Sequence, residues 1–389
     1  MAKKLKILGI ICDDNAIGYY RVWQPLKMME KLGLAELRLT PTFDWAKGDA
    51  MKKFPPLNWF ATKCDNKYKC EAKGCKKCFW PDIIVASRHD FVHYINLLMA
   101  LKNYQVPVVV DTDDDVRAVR PFNPGYASYK PDSDNVSYNV KLMSIADAIT
   151  TSTEHLKERH AQYEKPTYVV PNSIDIKTRT FKPKSRSKKI RIGWMGSSCH
   201  WENLQIIQQA VKDIVASYPQ VEFVYTNLYG DVWNNPPKEI RKQVVPVCRE
   251  LGCRGYHGVC NKSYVFFDKY AKVINKLKLD IGLAPLHDNL FNRSKSNLRI
   301  LEYWSDKVAV IASPVRPYLE TIKDGQNGLL AKEKMDWYKA MERLILDERL
   351  RNKFKENGFK SLVENWNAEK NAHKLYDIYQ DIIKNFKCE

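Results

Sequence analysis

The chain has 389 residues, of which 44% are apolar and 12% aromatic. This excludes a disordered protein and, at ~150 residues per domain, sets an expectation of two domains, or three. Lys and Arg outnumber Asp and Glu by 63 to 45, a net charge of +18. A charge of that size points to an acidic partner such as nucleic acid, a lipid surface or a phosphorylated substrate, against the plainer alternative of a solvated lysine-rich surface. The longest apolar runs, such as LKILGIIC and VPVVV, are strand-length and far short of the ~20 residues that cross a bilayer. The opening MAKKLKILGIICDD reads as a first strand rather than a signal peptide, so a cytoplasmic protein is expected.

In chain order, the first part alternates strand and helix signals. Apolar runs at 5–12, 82–87, 106–110 and 148–152 predict buried parallel strands. Helical patterns near 21–33, 90–103, 137–146 and 153–162 fall between them, which is the βαβ rhythm of a doubly wound sheet. TYVVPNSID, 167–175, adds a short strand and turn residues, and FKPKSRSKK, 181–189, reads as a linker. The rhythm then restarts. Strands are expected at 190–197, 221–227, 279–286 and 308–313. Helices are expected from about 201, at 263–278 and from 334 onward, where MERLILDERLRNKF is amphipathic. The expected fold is α/β: two Rossmann-like doubly wound domains facing across a cleft, over 1–180 and 189–389, with the C-terminal helix packing back on the first. Ligands of such sheets bind beyond the carboxyl ends of the strands, where the Gly loop at 196–198 and the helix start at 294–298 fall.

One region of the first half stands apart. Residues 52–80 hold eight lysines against Asp65 and Glu71. Within it, KCDNKYKCEAKGCKKCFW spaces Cys64, Cys70, Cys75 and Cys78 as C-x5-C-x4-C-x2-C, which reads as four thiolates around a structural zinc, with disulfides or free thiols as the alternative. This Cys-rich basic insertion, 45–81, also carries Tyr68, Phe79 and Trp80 and looks like an acceptor-side contact. Cys248, Cys253, His257 and Cys260 form a second candidate set for zinc, against ordinary buried cysteines.

FNRSKSNLRILEYWS, 291–305, places a lysine and small hydroxyl residues where a helix begins. Free N–H groups, the positive end of the helix dipole and Lys295 together make an anion site, and Glu302 follows two turns later.

These residues carry a resemblance. DIGLAPLHDNLFNRSKSNLRILEYWSDKVAVIASPVRPYLETIKDGQNGLLA resembles the donor-binding half of GT-B glycosyltransferases, specifically glycosyltransferase family 4, through VAVIAS, Glu320, Asp324-Gly325 and Asn327-Gly328-Leu329-Leu330. RIGWMGSSCHWENL resembles the family's phosphate loop, VVPNSID its interdomain "PNGID" with Ser173 in place of glycine, and GYYRVWQPLKMMEKLG its N-terminal loop and helix. The resemblance implies a retaining sugar transfer from a nucleotide-sugar, a UDP-sugar in first place, without an obligatory metal. It implies that Lys295 and the N–H groups of residues 295–297, including Ser296 and Asn297, hold the diphosphate, and that Glu302 bonds the ribose hydroxyls. Gly196 and Ser197 would let the backbone approach the phosphate, and the loop near 256–258 would hold the base.

The chain departs from the family at two places. Ser294 stands near the position of a second family glutamate, which leaves Asn292 or Arg293 to carry part of the sugar recognition. In VVVDTDDDV, 108–116, the register puts Asp113 where many members have a histidine, beside Asp111, Asp114 and Asp115. Crowded acids raise one another's pKa or bind a cation. A general-base or acceptor-orienting role for Asp113 or Asp114 stands against simple turn capping, and His89 and His93 are alternative groups near the site. Three acceptor readings follow: DNA with a hydroxylated base, favoured by the evenly spread charge (net +8 over 1–185 and +10 over 186–389); a cell-envelope saccharide or lipid-linked sugar, with peripheral membrane contact; and a non-enzymatic zinc and nucleic-acid binding module.

Overall fold

A computed structural model describes residues 4–11, 17–40, 80–90, 92–121, 123, 125–178, 189–196, 200–225, 275 and 277–386. The chain forms two compact units. One comprises Met1–Arg117, Pro131–Ser173 and Ala368–Glu389; the other comprises Ala118–Lys130 and Ile174–Asn367. The division falls between Ser173 and Ile174, and the last helix, Ala368–Asn385, belongs to the first unit.

The first unit is built on six parallel strands: β1 (Leu5–Ile10), β2 (Ala35–Thr40), β3 (Ile83–Ser87), β4 (Val108–Thr112), β5 (Ala148–Thr151) and β6 (Thr167–Val169), in the order β2-β1-β3-β4-β5-β6. Their apolar residues serve both faces, which is why they read as unbroken runs rather than alternations. Leu5, Ile7, Ile83, Val85 and Val109 face one layer with helix Gln24–Lys31 and the last helix. Leu8, Ile10, Ile84, Ala86, Val108 and Val110 face the other with helices Val92–Lys102 and Asp134–Ile145. The last helix contributes Ala368, Ala372, Leu375, Tyr376, Tyr379 and Ile382, one stripe at 3.6-residue spacing. Each Leu or Ile so buried is worth about 1.5–3 kcal/mol.

The second unit repeats the plan with β7 (Ile190–Trp194), β8 (Val221–Tyr225), β9 (Ile281–Ala284), β10 (Ala309–Ala312) and β11 (Leu329–Leu330), all parallel, in the order β11-β10-β9-β7-β8. Its core joins helix Trp201–Ser217 to helix Lys334–Leu346 through Leu204, Val211, Trp337 and Met341. Close approach explains two glycines. A Cβ on Gly282 would lie 2.7 Å from the Tyr303 ring, and one on Gly358 would lie 2.3 Å from the Trp304 indole.

In each sheet the winding reverses once, between β1 and β3 and between β7 and β9. That switch point opens a crevice at the carboxyl ends, where α/β sheets bind ligands. The expected strand at 106–110 lies at Val108–Thr112, because Pro107 sits before the ladder and only its carbonyl takes part, accepting from Ile84 N–H at 2.9 Å. The displacement draws Asp111 into the sheet, where it is 4% exposed.

Asp111 is held there by Arg21 from the π-helical turn Gly18–Trp23. Arg21 Nε and Nη2 donate to the two carboxylate oxygens at 2.9 and 2.8 Å, and Nη1 donates to the Val170 carbonyl and Asn172 Oδ1. Thr150 adds a hydroxyl at 2.6 Å. Removing one partner of a buried pair strands the other charge. Arg21→Met should therefore cost about 3–5 kcal/mol in urea unfolding; a loss below about 1 kcal/mol would show that the pair does not hold the turn to the sheet.

Candidate functional site

The best-defined polar cluster lies in the second unit, at the switch point between β7 and β9. After β9 the chain makes a short helix, Leu290–Arg293, capped by Asn289, whose Oδ1 accepts from Asn292 N–H at 2.9 Å. It then enters helix Leu298–Ser305, in which Leu298 and Arg299 are half-buried and Ile300, Leu301, Tyr303 and Trp304 are buried. Lys295 reaches over the Phe291 ring at 4.4 Å. Ser296 Oγ accepts from Leu298 N–H at 3.4 Å, so this hydroxyl caps the helix start. The Asn297 amide donates to Thr321 at 2.9 Å and ties that start to the turn before β11. Glu302, two turns along from Lys295, is 7% exposed.

Sequence reasoning passed over Arg299. It lies four residues after Lys295 and three before Glu302, and Tyr318 is within electrostatic reach of all three. Its guanidinium donates to the Met195 carbonyl at the end of β7, stacks over Trp194 with 5.0 Å to the ring centroid, and bonds Tyr318. Gly196 makes room for it: a Cβ there would lie 2.6 Å from both Arg299 Nη1 and the Trp194 ring. The Tyr303 hydroxyl accepts from Met195 N–H at 3.1 Å and donates to the Leu283 carbonyl at 3.0 Å, fixing β7 against β9. Lys295 and Arg299 thus bring two cations to the carboxyl ends of adjacent strands, beside a helix N-terminus. That arrangement suits an anion carrying more than one charge.

The remaining expected donor residues are placed as follows. Arg293 forms a bidentate pair with Asp288 at 2.6 and 2.9 Å on the surface. Asn292 is buried; its amide donates to the His287 carbonyl at 2.9 Å and to Asn203 Oδ1 at 3.4 Å. Both therefore serve the loop after β9. Ser294 is fully buried and donates to the Leu290 carbonyl at 3.2 Å, so a glutamate would not fit that place. Ser197 and residues 256–258 lie outside the described residues, as do Cys64, Cys70, Cys75 and Cys78, nearly all of the insertion expected at 45–81, and Cys248, Cys253, His257 and Cys260. Among the described residues no group of three or more His, Cys, Asp or Glu is arranged to hold a metal, so zinc gains no support from the structure.

In the first unit the acidic cluster divides. Asp111 is consumed by Arg21. Asp115 receives Arg117 Nε at 3.1 Å and Arg159 Nε at 2.7 Å; burial would raise its pKa, but these hydrogen bonds and charges outweigh burial and hold it low. Both are structural. Asp113 stands just past β4, and its Oδ1 is buried with no hydrogen-bond partner among the described residues. Burial first, then the Asp114 and Asp111 charges, push Asp113 up to about 7, against the pull of Arg88 and Arg21. Arg88 Nη1 is itself paired with Asp90 at 2.5 Å, and Asp90 is held by Asn139. His89 packs edge-on against Tyr94, and burial, with the Arg88 charge, lowers it to about 4, so it is neutral at pH 7. The His93 side chain lies outside the described residues.

Residues 298–361 match the family glycosyl transferases group 1, a stretch that begins at the helix carrying Arg299 and Glu302. Solved structures of similar fold include Anabaena HepE in complex with UDP-glucose, 14% identical over 97% of this chain and 100% of that one, with a TM-score of 0.62. Sucrose-phosphate synthase from Thermosynechococcus elongatus is 12% identical over 98% and 100%, with a TM-score of 0.64. S. aureus TarM, solved with fondaparinux, alpha-GlcNAc-glycerol and UDP, is 13% identical over 76% of this chain and 55% of its own, with a TM-score of 0.53. No curated protein sequence is similar enough to match. The two-sheet fold is thus shared with these solved structures over nearly the whole chain, and the group 1 match falls in the second unit. No helix among the described residues is long and apolar enough to cross a membrane.

The Asp113 environment has a measurable consequence. An unfolded aspartate ionises near pH 4, whereas Asp113 in the fold ionises at about 7. The folded state therefore holds a proton that the unfolded state has lost, and stability falls as pH rises from 4 through 7. Asp113→Asn removes that dependence. The melting temperature of the variant relative to wild type should rise between pH 5.5 and pH 8; parallel profiles would mean that Asp113 titrates as an ordinary surface acid.

Proposed function

We propose that the chain transfers a sugar from a nucleotide-sugar, a UDP-sugar in first place, to an acceptor hydroxyl with retention of configuration. The observation that carries this reading is the helix Leu298–Ser305 at the β7/β9 switch point, which falls within the group 1 segment, carries Arg299 and Glu302, and follows Lys295 closely enough that all three act on Tyr318. In this reading Lys295 and Arg299 bind the diphosphate and take up the charge that develops on it as the glycosidic bond breaks. The Lys295 N–H is given to the Asn292 carbonyl at 3.2 Å, so of the N–H groups expected at 295–297 those of 296 and 297 assist; Ser296 and Asn297 shape the helix start, and Glu302 accepts from the ribose hydroxyls. Gly196 provides the space in which Arg299 lies against β7. Asp113, with Asp114 beside it, is assigned to the acceptor hydroxyl: a carboxylate ionising near neutral pH is matched to taking or holding a hydroxyl proton.

Lys295→Ala should lower kcat by about 10²-fold or more while leaving the melting temperature within a degree or two, because the lysine acts on leaving-group charge and not on packing. Glu302→Ala should weaken UDP-sugar binding with the fold intact. Wild-type turnover in the first, or wild-type affinity in the second, would remove that residue from the donor site.

For the acceptor, the proposal is a hydroxylated base in DNA. The support is the +18 charge spread over both halves of the chain, since lysine and arginine contacts to phosphates dominate DNA affinity. A saccharide acceptor is the second reading, favoured by the fold shared with TarM, which was solved with alpha-GlcNAc-glycerol. A structural zinc on Cys64, Cys70, Cys75 and Cys78 rests on their spacing alone. Nucleotide release from UDP-, GDP- and CDP-sugars, measured with and without DNA containing 5-hydroxymethylpyrimidines, separates the acceptor readings. Release stimulated by the modified DNA, and lost at moderate salt, is the expected result; release indifferent to DNA would move the acceptor to saccharides.

A further inference from the structure

The group least accounted for in the donor crevice is His200. It stands just before helix Trp201–Ser217, at the end of the loop that leaves β7. Its ring lies 6.5 Å from Trp194, the indole over which Arg299 stacks, so His200 and Arg299 border the same side chain. Its protonation can be worked out from a chain of buried amides. The backbone N–H of His287 can only donate, and it donates at 2.9 Å to one terminal atom of Asn203, which is therefore the oxygen. Asn292 donates to the same oxygen at 3.4 Å. The other terminal atom of Asn203 is then the NH₂ group, and it sits 3.2 Å from His200 Nδ1. An NH₂ group has only hydrogens to offer, so Nδ1 must be the bare, accepting nitrogen. A neutral imidazole with a bare Nδ1 carries its hydrogen on Nε2. Among the described residues no group accepts from that Nε2–H.

We propose that His200 is a donor-binding residue, a neutral imidazole that presents Nε2–H to a phosphate oxygen of the nucleoside diphosphate. The inference rests on the donor-site reading above and adds to it a third side chain, one not drawn from the helix start. Burial, and then the charges of Arg299 and Lys295, hold the imidazole well below its ordinary pKa, in keeping with the tautomer the amides require. Protonation of Nδ1 would also set its new hydrogen against the Asn203 NH₂ and cost the one hydrogen bond that orients the ring. Asn203 and Asn292 are thereby positioning residues. They are 4% and 5% exposed, and the bonds of Asn203 to His287, Asn292 and His200 fix the tautomer before any ligand arrives.

The test is titration calorimetry of wild type, His200→Ala and His200→Gln with UDP, GDP and CDP and with the matching nucleosides, with circular dichroism as the control for folding. Alanine removes the donor; glutamine restores an N–H near the Nε2 position. The expected result is about a tenfold loss of diphosphate affinity in His200→Ala, with nucleoside affinity unchanged and the loss largely recovered in His200→Gln. Equal losses for nucleoside and diphosphate, or unchanged diphosphate affinity in His200→Ala, would overturn the assignment while leaving the donor site standing. A wild type that binds no nucleoside diphosphate would overturn both. Long-range ¹H–¹⁵N NMR of the histidines needs no variant: an Nε2–H tautomer for His200 that shifts on addition of diphosphate supports the proposal, and an Nδ1–H tautomer refutes it.

Discussion

A parallel sheet covered on both faces leaves polar side chains little room except at the ends of its strands. Every strand of the two sheets described here runs the same way as its neighbours, and each sheet reverses its winding once. The apolar residues of β1, β3 and β4 are spent on two layers of helices. Chemistry is therefore pushed into the few residues that follow the last rung of each ladder: Arg88, His89 and Asp113 in the first unit, Met195, Gly196 and the loop after Ala284 in the second. The same constraint explains why cations and acids converge there although they lie far apart in sequence. Arg299 meets Met195 across 104 residues because both stand at the same edge of one sheet.

The elements legible in the sequence were those whose patterns carry a single physical meaning. Unbroken apolar runs gave β1, β3, β5, β9 and β10, because a strand buried on both faces has no polar phase to confuse the reading. β2 was missed because it is an edge strand: Leu37 and Leu39 are half-buried, Glu36 is exposed, and the segment reads as a continuation of the preceding turn. β11 has two residues and no pattern to show. The helix expected over 21–33 opens as a π-helical turn, Gly18–Trp23, before becoming regular at Gln24. Nothing local marks that turn; it is held by Arg21 reaching β4, the Val170 carbonyl and Asn172, all distant in sequence.

The polar cluster at the β7/β9 switch point was open to sequence only in part. Lys295 and Glu302 stand out there because a lysine at a helix start and a lone acid in an apolar helix are both costly unless used. Asn292 and Arg293 were assigned to a ligand because polar residues in a loop carry no label for the partner they take. Their partners, Asn203 and Asp288, became visible only when the loop was closed. Arg299 and His200 were overlooked for the complementary reason: each is ordinary where it stands in sequence and gains its meaning from Trp194, which both approach.

The acidic cluster shows how one stretch of like residues comes to hold unlike roles. Four carboxylates in five residues cannot all stay charged near one another without cations to offset them. Asp111 has Arg21, and Asp115 has Arg117 and Arg159, so these two are neutralised by partners that also bind the sheet to its surrounding segments. Arg88, the nearest cation left to Asp113, is committed to Asp90. Asp113, buried first of all and then bearing the residual repulsion of its neighbours, keeps a proton up to about pH 7. The two structural pairs are thus what make the third acid unusual.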